Sequence, residues 1–197
     1  MRSARFLPSL HVLQAVVIVL LGLGCGGGDD GGTADAGGTT CDQYCDRLQA
    51  SCTGATSQFT SRDQCMATCA TYPQGTTGAT SGNSLECRYY HAGAALGDPA
   101  THCPHAGPGG AGVCGANCDG YCQLVMATCT GPQQQYSSDI DCLTQCATIT
   151  DDEPFDSGDV DGDTLACRLY HASVATQDPV THCPHVVPAS PVCVDPI

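Results

Sequence analysis

The cysteine register constrains this chain more than any other feature. Sixteen cysteines fall into two matched sets of eight: Cys41, Cys45, Cys52, Cys65, Cys69, Cys87, Cys103 and Cys114, then Cys118, Cys122, Cys129, Cys142, Cys146, Cys167, Cys183 and Cys193. The first five of each set match at an offset of 77 residues, the next two at 80 and the last at 79. Such a register means duplication of one module, the second copy carrying a three-residue insertion before its sixth cysteine. Shared phrases lie between the cysteines. Leu85-Glu86-Cys87-Arg88-Tyr89-Tyr90-His91-Ala92 matches Leu165-Ala166-Cys167-Arg168-Leu169-Tyr170-His171-Ala172, and Thr101-His102-Cys103-Pro104-His105 matches Thr181-His182-Cys183-Pro184-His185. With three Phe and no Trp, each copy has little apolar surface to bury. Disulfide staples in an oxidising compartment are the expected substitute for a large core.

Helical spacing runs through each copy. Cys41 and Cys45 are four apart, as are Cys65 and Cys69, and Cys52 follows Cys45 by seven, so these side chains share helix faces. Ser61-Arg62-Asp63-Gln64 has the form of a capping box, and Ser138, Ser84 and Thr164 are further N-cap residues. The expected fold is small, mostly α and disulfide-rich. It consists of two tandem three-helix modules, each with a Cys-x3-Cys helical hairpin and a Pro/Gly-rich tail. Residues 41–114 form the first module, 115–117 a junction and 118–197 the second.

Two helices each bearing Cys-x3-Cys resemble the twin Cys-x3-Cys hairpins of mitochondrial intermembrane-space proteins. That resemblance implies Cys41–Cys69 with Cys45–Cys65, and Cys118–Cys146 with Cys122–Cys142. It implies nothing for the other four cysteines of each module, whose pairing stays open.

Before the modules, residues 1–24 read as an export signal: Arg2 and Arg5 precede an apolar run from Val12 to Leu23 that is short for a membrane span. Leu21-Gly22-Leu23-Gly24-Cys25 resembles the lipobox of bacterial lipoproteins, with glycine where leucine is usual three places before the cysteine. The resemblance implies a diacylglyceryl group on Cys25, acylation of its new amine, and anchoring in the cell envelope. Gly26 after that cysteine implies the outer membrane of a Gram-negative cell. An ordinary secretory signal is the alternative. Cysteine arithmetic fits the lipid: of 17 cysteines, removing Cys25 leaves an even set. Residues 25–40, rich in Gly and Asp, read as a flexible tether. The phrases Arg88-Tyr89-Tyr90-His91 and His102-Cys103-Pro104-His105-Ala106-Gly107-Pro108 also resemble duplicated cysteine-rich lipoproteins of myxobacteria and relatives, which imply no established activity.

The formal net charge is −14, with no lysine. Nucleic acid is a poor partner for such a chain, because phosphate binding needs a cationic surface. The expected partners are a membrane, through the lipid, and a protein or glycan ligand. Oligomeric state is not legible.

Candidate chemistry centres on histidine. Beyond His11 in the leader, all six imidazoles repeat: His91, His102 and His105, then His171, His182 and His185. Three imidazoles suit Cu or Zn, with water or a carboxylate completing the shell. The competing reading is structural: rings packed on disulfides or bonded to loop carbonyls. Between Asp151 and Asp163 lie seven acids, and Asp159, Asp161 and Asp163 resemble the start of a calcium loop. The glycine between the second and third of them, and the lack of a closing glutamate, depart from the EF-hand pattern. No obligate cofactor is expected. The trios offer a site for Cu or Zn, and the acidic run one for weak Ca²⁺ binding. No nucleophile motif, phosphate loop or Cys-x-x-Cys redox pair is present, so no enzyme is expected. The leading reading is a membrane-tethered extracytoplasmic structural or binding module of unknown ligand. An envelope metal-binding protein comes second and a secreted hydrolase third.

Overall fold

Thr40 begins the folded part by accepting the amide of Gln43 at 3.2 Å while the Gln43 side chain accepts the amide of Thr40 at 2.8 Å. This reciprocal cap starts α1 (Cys41–Ser51). The computed structural model describes residues 37–195. The leader, Cys25 and most of the tether expected from the sequence lie outside the described residues. After a 3₁₀ turn comes α2 (Arg62–Cys69), which runs antiparallel to α1. Ser61 caps it by accepting the Gln64 amide. The Gln64 side chain does not return to Ser61, as a full capping box requires. Its Oε1 accepts from the amide and hydroxyl of Thr60, one residue further back. Asp141 makes the same displaced return to Ser137 in the second copy.

α3 (Leu85–Ala94) starts at the Ser84 cap, and α4 (Pro99–Ala106) starts at the Asp98 cap with proline in its first turn. The second copy repeats the series. Its helices are α5 (Asn117–Thr128), α6 (Asp139–Cys146), α7 (Leu165–Val174) and the short α8 (Pro179–His182), continued by a 3₁₀ turn over Cys183–His185. The protein is thus small, mostly helical and disulfide-rich, with two tandem copies and paired-cysteine hairpins. To the three helices expected per copy the structure adds a fourth, in the segment read as a tail. Pro104 lies inside it, which sequence reasoning takes as a breaker.

All sixteen cysteines among the described residues are paired. Cys41–Cys69 and Cys45–Cys65 staple α1 to α2, and Cys118–Cys146 and Cys122–Cys142 staple α5 to α6. Cys52–Cys103 ties the end of α1 to the middle of α4, and Cys129–Cys183 does the same one copy on. Cys87–Cys114 and Cys167–Cys193 hold α3 and α7 to the segments that follow. Cys52 therefore leaves the face used by Cys41 and Cys45: the backbone turns extended there, at φ −109° and ψ 94°. Each copy keeps its own small core, around Tyr44, Leu48, Phe59 and Leu85 in the first, and around Tyr121, Leu124, Leu165 and Leu169 in the second. Each bridge contributes a few kcal/mol by restricting the unfolded chain.

The copies pack into one compact unit. α2 lies against α7, and Gln64 Nε2 donates to Ser173 Oγ at 2.7 Å in the buried seam. Gln58 Nε2 donates to the Phe155 carbonyl at 3.0 Å. Gly120 in α5 permits a close backbone approach between the copies, since a Cβ there would lie 2.3 Å from the Pro108 carbonyl oxygen. No helix among the described residues is long and apolar enough to cross a membrane.

Candidate metal centres

The helix pair α3 and α4 brings the first histidine trio together. His91 lies one turn after Cys87 on α3 and is 6% exposed. His102 and His105 lie three apart on α4, so they share one face. Cys103, between them, turns to the core and its bridge with Cys52. The ring centroids stand 4.9 to 5.8 Å apart. In the second copy His171, His182 and His185 form the same triangle, with centroids 4.7 to 5.6 Å apart. In each trio one nitrogen per ring falls within 4.8 Å of the other two. The structure thus joins the three repeated imidazoles of each copy: α3 and α4 carry the first trio, and α7, α8 and the 3₁₀ turn after it carry the second.

The hydrogen bonds decide which nitrogens face inward. Nδ1 of His91 lies 2.9 Å from Nδ1 of His102, and Nε2 of His91 lies 3.1 Å from the Thr80 carbonyl. A carbonyl only accepts, so in the neutral ring Nε2 carries the hydrogen and Nδ1 keeps a bare lone pair. Fixing the outer nitrogen on a carbonyl is how proteins hold a ligating histidine in one tautomer. Nδ1 of His105 is buried and has no partner. In the second copy Nδ1 of His171 faces Nδ1 of His182 at 2.9 Å and Nδ1 of His185 at 3.3 Å. Two imidazole nitrogens bound to one tetrahedral Zn²⁺ stand about 3.3 Å apart, given metal–nitrogen bonds of about 2.0–2.1 Å. The inward nitrogens already have nearly that separation.

Burial and neighbouring imidazoles disfavour protonation of four of these rings. Burial lowers the pKa of His91, against an upward pull from the Thr80 carbonyl and with a smaller lowering from His102. His105 is lowered by burial, then by His91 and His102. His171 falls to about 4, from burial first and then from His185 and His182. His185 is lowered by burial and by His182. At neutral pH these four rings are lone-pair donors.

The donor set is nitrogen alone. Neither trio includes a carboxylate. Sulfurs of Cys87 and Cys114 approach His91, and those of Cys167 and Cys193 approach His171, but both pairs are disulfides and offer no thiolate. Neutral imidazoles suit copper and zinc rather than calcium or magnesium.

The acidic run does not assemble. Asp163 accepts from Arg168 Nη2 at 2.7 Å, and Asp159 accepts the Asp156 amide at 2.6 Å. Among the described residues no set of three ligand atoms includes Asp159, Asp161 or Asp163. Of the three aspartates that resemble the start of a calcium loop, Asp163 serves a buried arginine, and the three do not form a converging set of ligand atoms.

That arginine is what sequence reading passed over. Arg88 and Arg168 have no exposed surface. Arg88 donates Nε to the Gly107 carbonyl at 3.1 Å and Nη2 to Pro108 at 3.3 Å. Arg168 donates Nε to Val187 at 3.0 Å and Nη2 to Pro188 at 2.5 Å. The signal was in the sequence, since both lie in a repeated phrase, three residues before His91 and His171.

The BfoA family C-terminal domain matches the chain twice, over residues 33–117 and 116–195. The chain belongs to the BfoA family. Each copy of this domain carries one histidine trio and four disulfides. A putative EGF-like domain-containing protein of Acanthamoeba polyphaga mimivirus is 36% identical over 76 residues, which is 38% of this chain and 14% of that protein. The chain thus spans about a seventh of that relative's length. No solved structure matches the chain.

Proposed function

We propose that this protein binds copper or zinc, one ion at each three-histidine centre. One observation carries the reading: in each copy imidazoles point Nδ1 atoms at one another, and in the first copy a carbonyl holds the outer nitrogen of His91. Nδ1 of His105, buried in the same cluster, has no hydrogen-bond partner, which a histidine serving only the fold would have. His91, His102 and His105 are the ligands of the first centre, and His171, His182 and His185 those of the second. The fourth position is left to water or to a ligand from outside. The ion supplies positive charge where burial disfavours protons on His91, His105, His171 and His185.

The protein does this at a membrane surface of the cell envelope, by this reading. Support comes from the export-type leader, the resemblance of residues 21–25 to a lipobox, the odd cysteine at Cys25 and the Gly/Asp tether. Duplication then gives two ions per anchored chain.

Elemental analysis of the oxidised protein, exported without a histidine tag and washed free of excess Cu²⁺ or Zn²⁺, tests the reading. About two ions per chain are expected, and about one after His91→Ala or His171→Ala. An unaltered protein that retains no metal would return the trios to a structural role and favour a module for a protein or glycan partner.

A further inference from the structure

We propose that Arg88 with Tyr44, and Arg168 with Tyr121, are positioning residues that aim the two α4-type histidines of each centre at the third. Three consecutive carbonyls follow the last histidine of each trio, and buried donors hold all of them. In the first copy Tyr44 Oη donates to Ala106 at 2.7 Å, while the Arg88 fork takes Gly107 and Pro108. In the second copy Tyr121 donates to Val186, and the Arg168 fork takes Val187 and Pro188. The same three donor atoms recur although Ala106-Gly107 and Val186-Val187 differ, because only the backbone is read.

The position of the arginine gives the clamp its consequence. Arg88 and His91 are three apart on α3, on adjoining parts of one face. The helix that supplies the first imidazole therefore also grips the chain two and three residues past His105. The Cys52–Cys103 bridge ties α4 at one point and leaves its roll and tilt free. The carbonyl clamp adds a second point of attachment, which fixes the direction in which His102 and His105 point. The guanidinium is itself held in place: Nη1 donates to Asn83 Oδ1 at 2.8 Å and to the Ser84 carbonyl at 3.3 Å, and the Tyr72 ring lies 4.0 Å beneath it. Arg168 replaces Asn83 by Asp163, at 2.7 Å. A planar fork on two adjacent carbonyls is a task that lysine does not reproduce.

The geometric claim stands on the metal-free protein, and only its effect on affinity rests on the metal reading. Two variants test it in the full exported chain: Arg88→Lys, which keeps the charge and loses the fork, and Tyr44→Phe, which removes one hydroxyl and keeps the ring. Nitrogen-15 labelling of histidine gives each imidazole its own signal without metal. The signals of His102 and His105 are expected to move in both variants, while those of His171, His182 and His185 stay. In a titration with Co²⁺, affinity at the first centre falls about ten- to hundredfold for Arg88→Lys, with changed visible absorption, and the second centre keeps both. If Arg88→Lys does not fold, Tyr44→Phe alone decides. Unmoved His102 and His105 signals in a folded variant overturn the proposal. An unaltered protein that takes up no Co²⁺ counts against the metal reading, and the nitrogen signals still judge the clamp.

Discussion

Nδ1 of His171 faces Nδ1 of His182 at 2.9 Å, inside a ring cluster where His171 is only 7% exposed. At that distance one nitrogen carries a hydrogen that the other accepts, or a metal ion takes the place of that hydrogen.

The first consequence is a pH dependence of the metal-free protein. The His171 pKa falls from 6.5 to about 4 on folding, through burial and then through His185 and His182. Between those values the unfolded chain binds more protons than the folded one. Stability is therefore complete above about pH 6.5 and is lost as pH falls toward 4. At ~1.4 kcal/mol per pKa unit, the loss from this residue reaches about 3 kcal/mol. His91, His105 and His185 shift in the same direction and add to it. Denaturant titrations at pH 7.5 and pH 4.5 should show the fall, and His171→Gln should reduce it. Bound metal competes with the same protons, so ions should leave as the pH drops.

The disulfides at α4 and α8 should matter to the centres as well as to the fold. Replacing Cys52 and Cys103 together by alanine opens a bridge with a separation of 51 residues. A loss of about 2–5 kcal/mol is expected. His102 and His105 flank Cys103, so metal at the first centre should be lost while the second keeps its ion. Paired calorimetry and elemental analysis would check both. Metal retention at both centres in the variant would show that α4 is placed without its covalent tie.

How much of this was readable from the chain differs by level. The matched cysteines gave away the duplication, and their four-residue spacing the hairpins, because helix periodicity is local. The partners of Cys52 and Cys87 were not readable, since they depend on where α4 and the following segment pack. α4 itself was hidden by Pro104 and by the glycines after it, which signal a tail. The six histidines stood out by repetition, yet the inward nitrogen of His91 depends on Thr80, a loop residue with no repeated phrase around it. The segment after His185 looked like divergence from the segment after His105. It diverges in side chains only, and Tyr121 and Arg168 bind its carbonyls. Asp163 looked like a calcium ligand because charge alone was visible, not the buried guanidinium beside it.

Protection by metal should be measurable and separable by copy. An ion that binds only the folded state stabilises it by about 2.7 kcal/mol when free metal is a hundred times its dissociation constant. Thermal unfolding with Zn²⁺ should rise in the unaltered protein and rise less in His185→Ala, which keeps the first trio intact. Equal shifts in the two proteins would mean that zinc acts elsewhere than at the second centre.

Gly120 supplies a last test, of the seam between copies. A Cβ at this position would lie 2.3 Å from the Pro108 oxygen and 2.9 Å from that of Gly109, both backbone atoms that cannot rotate away. Its counterpart in the first copy is Gln43, an exposed residue on α1 that meets no such chain. Gly120→Ala gains helix propensity of about 1 kcal/mol but must push α5 off the linker. Overpacking of this kind costs about 1–3 kcal/mol. The Pro108 carbonyl is also one of the two held by the Arg88 fork, so the displacement should reach His105. Net destabilisation with weaker metal binding at the first centre is expected, against an unchanged second centre. Calorimetry with a Co²⁺ titration checks it, and a stabilised variant with two unaltered centres would show that the linker yields without disturbing the clamp.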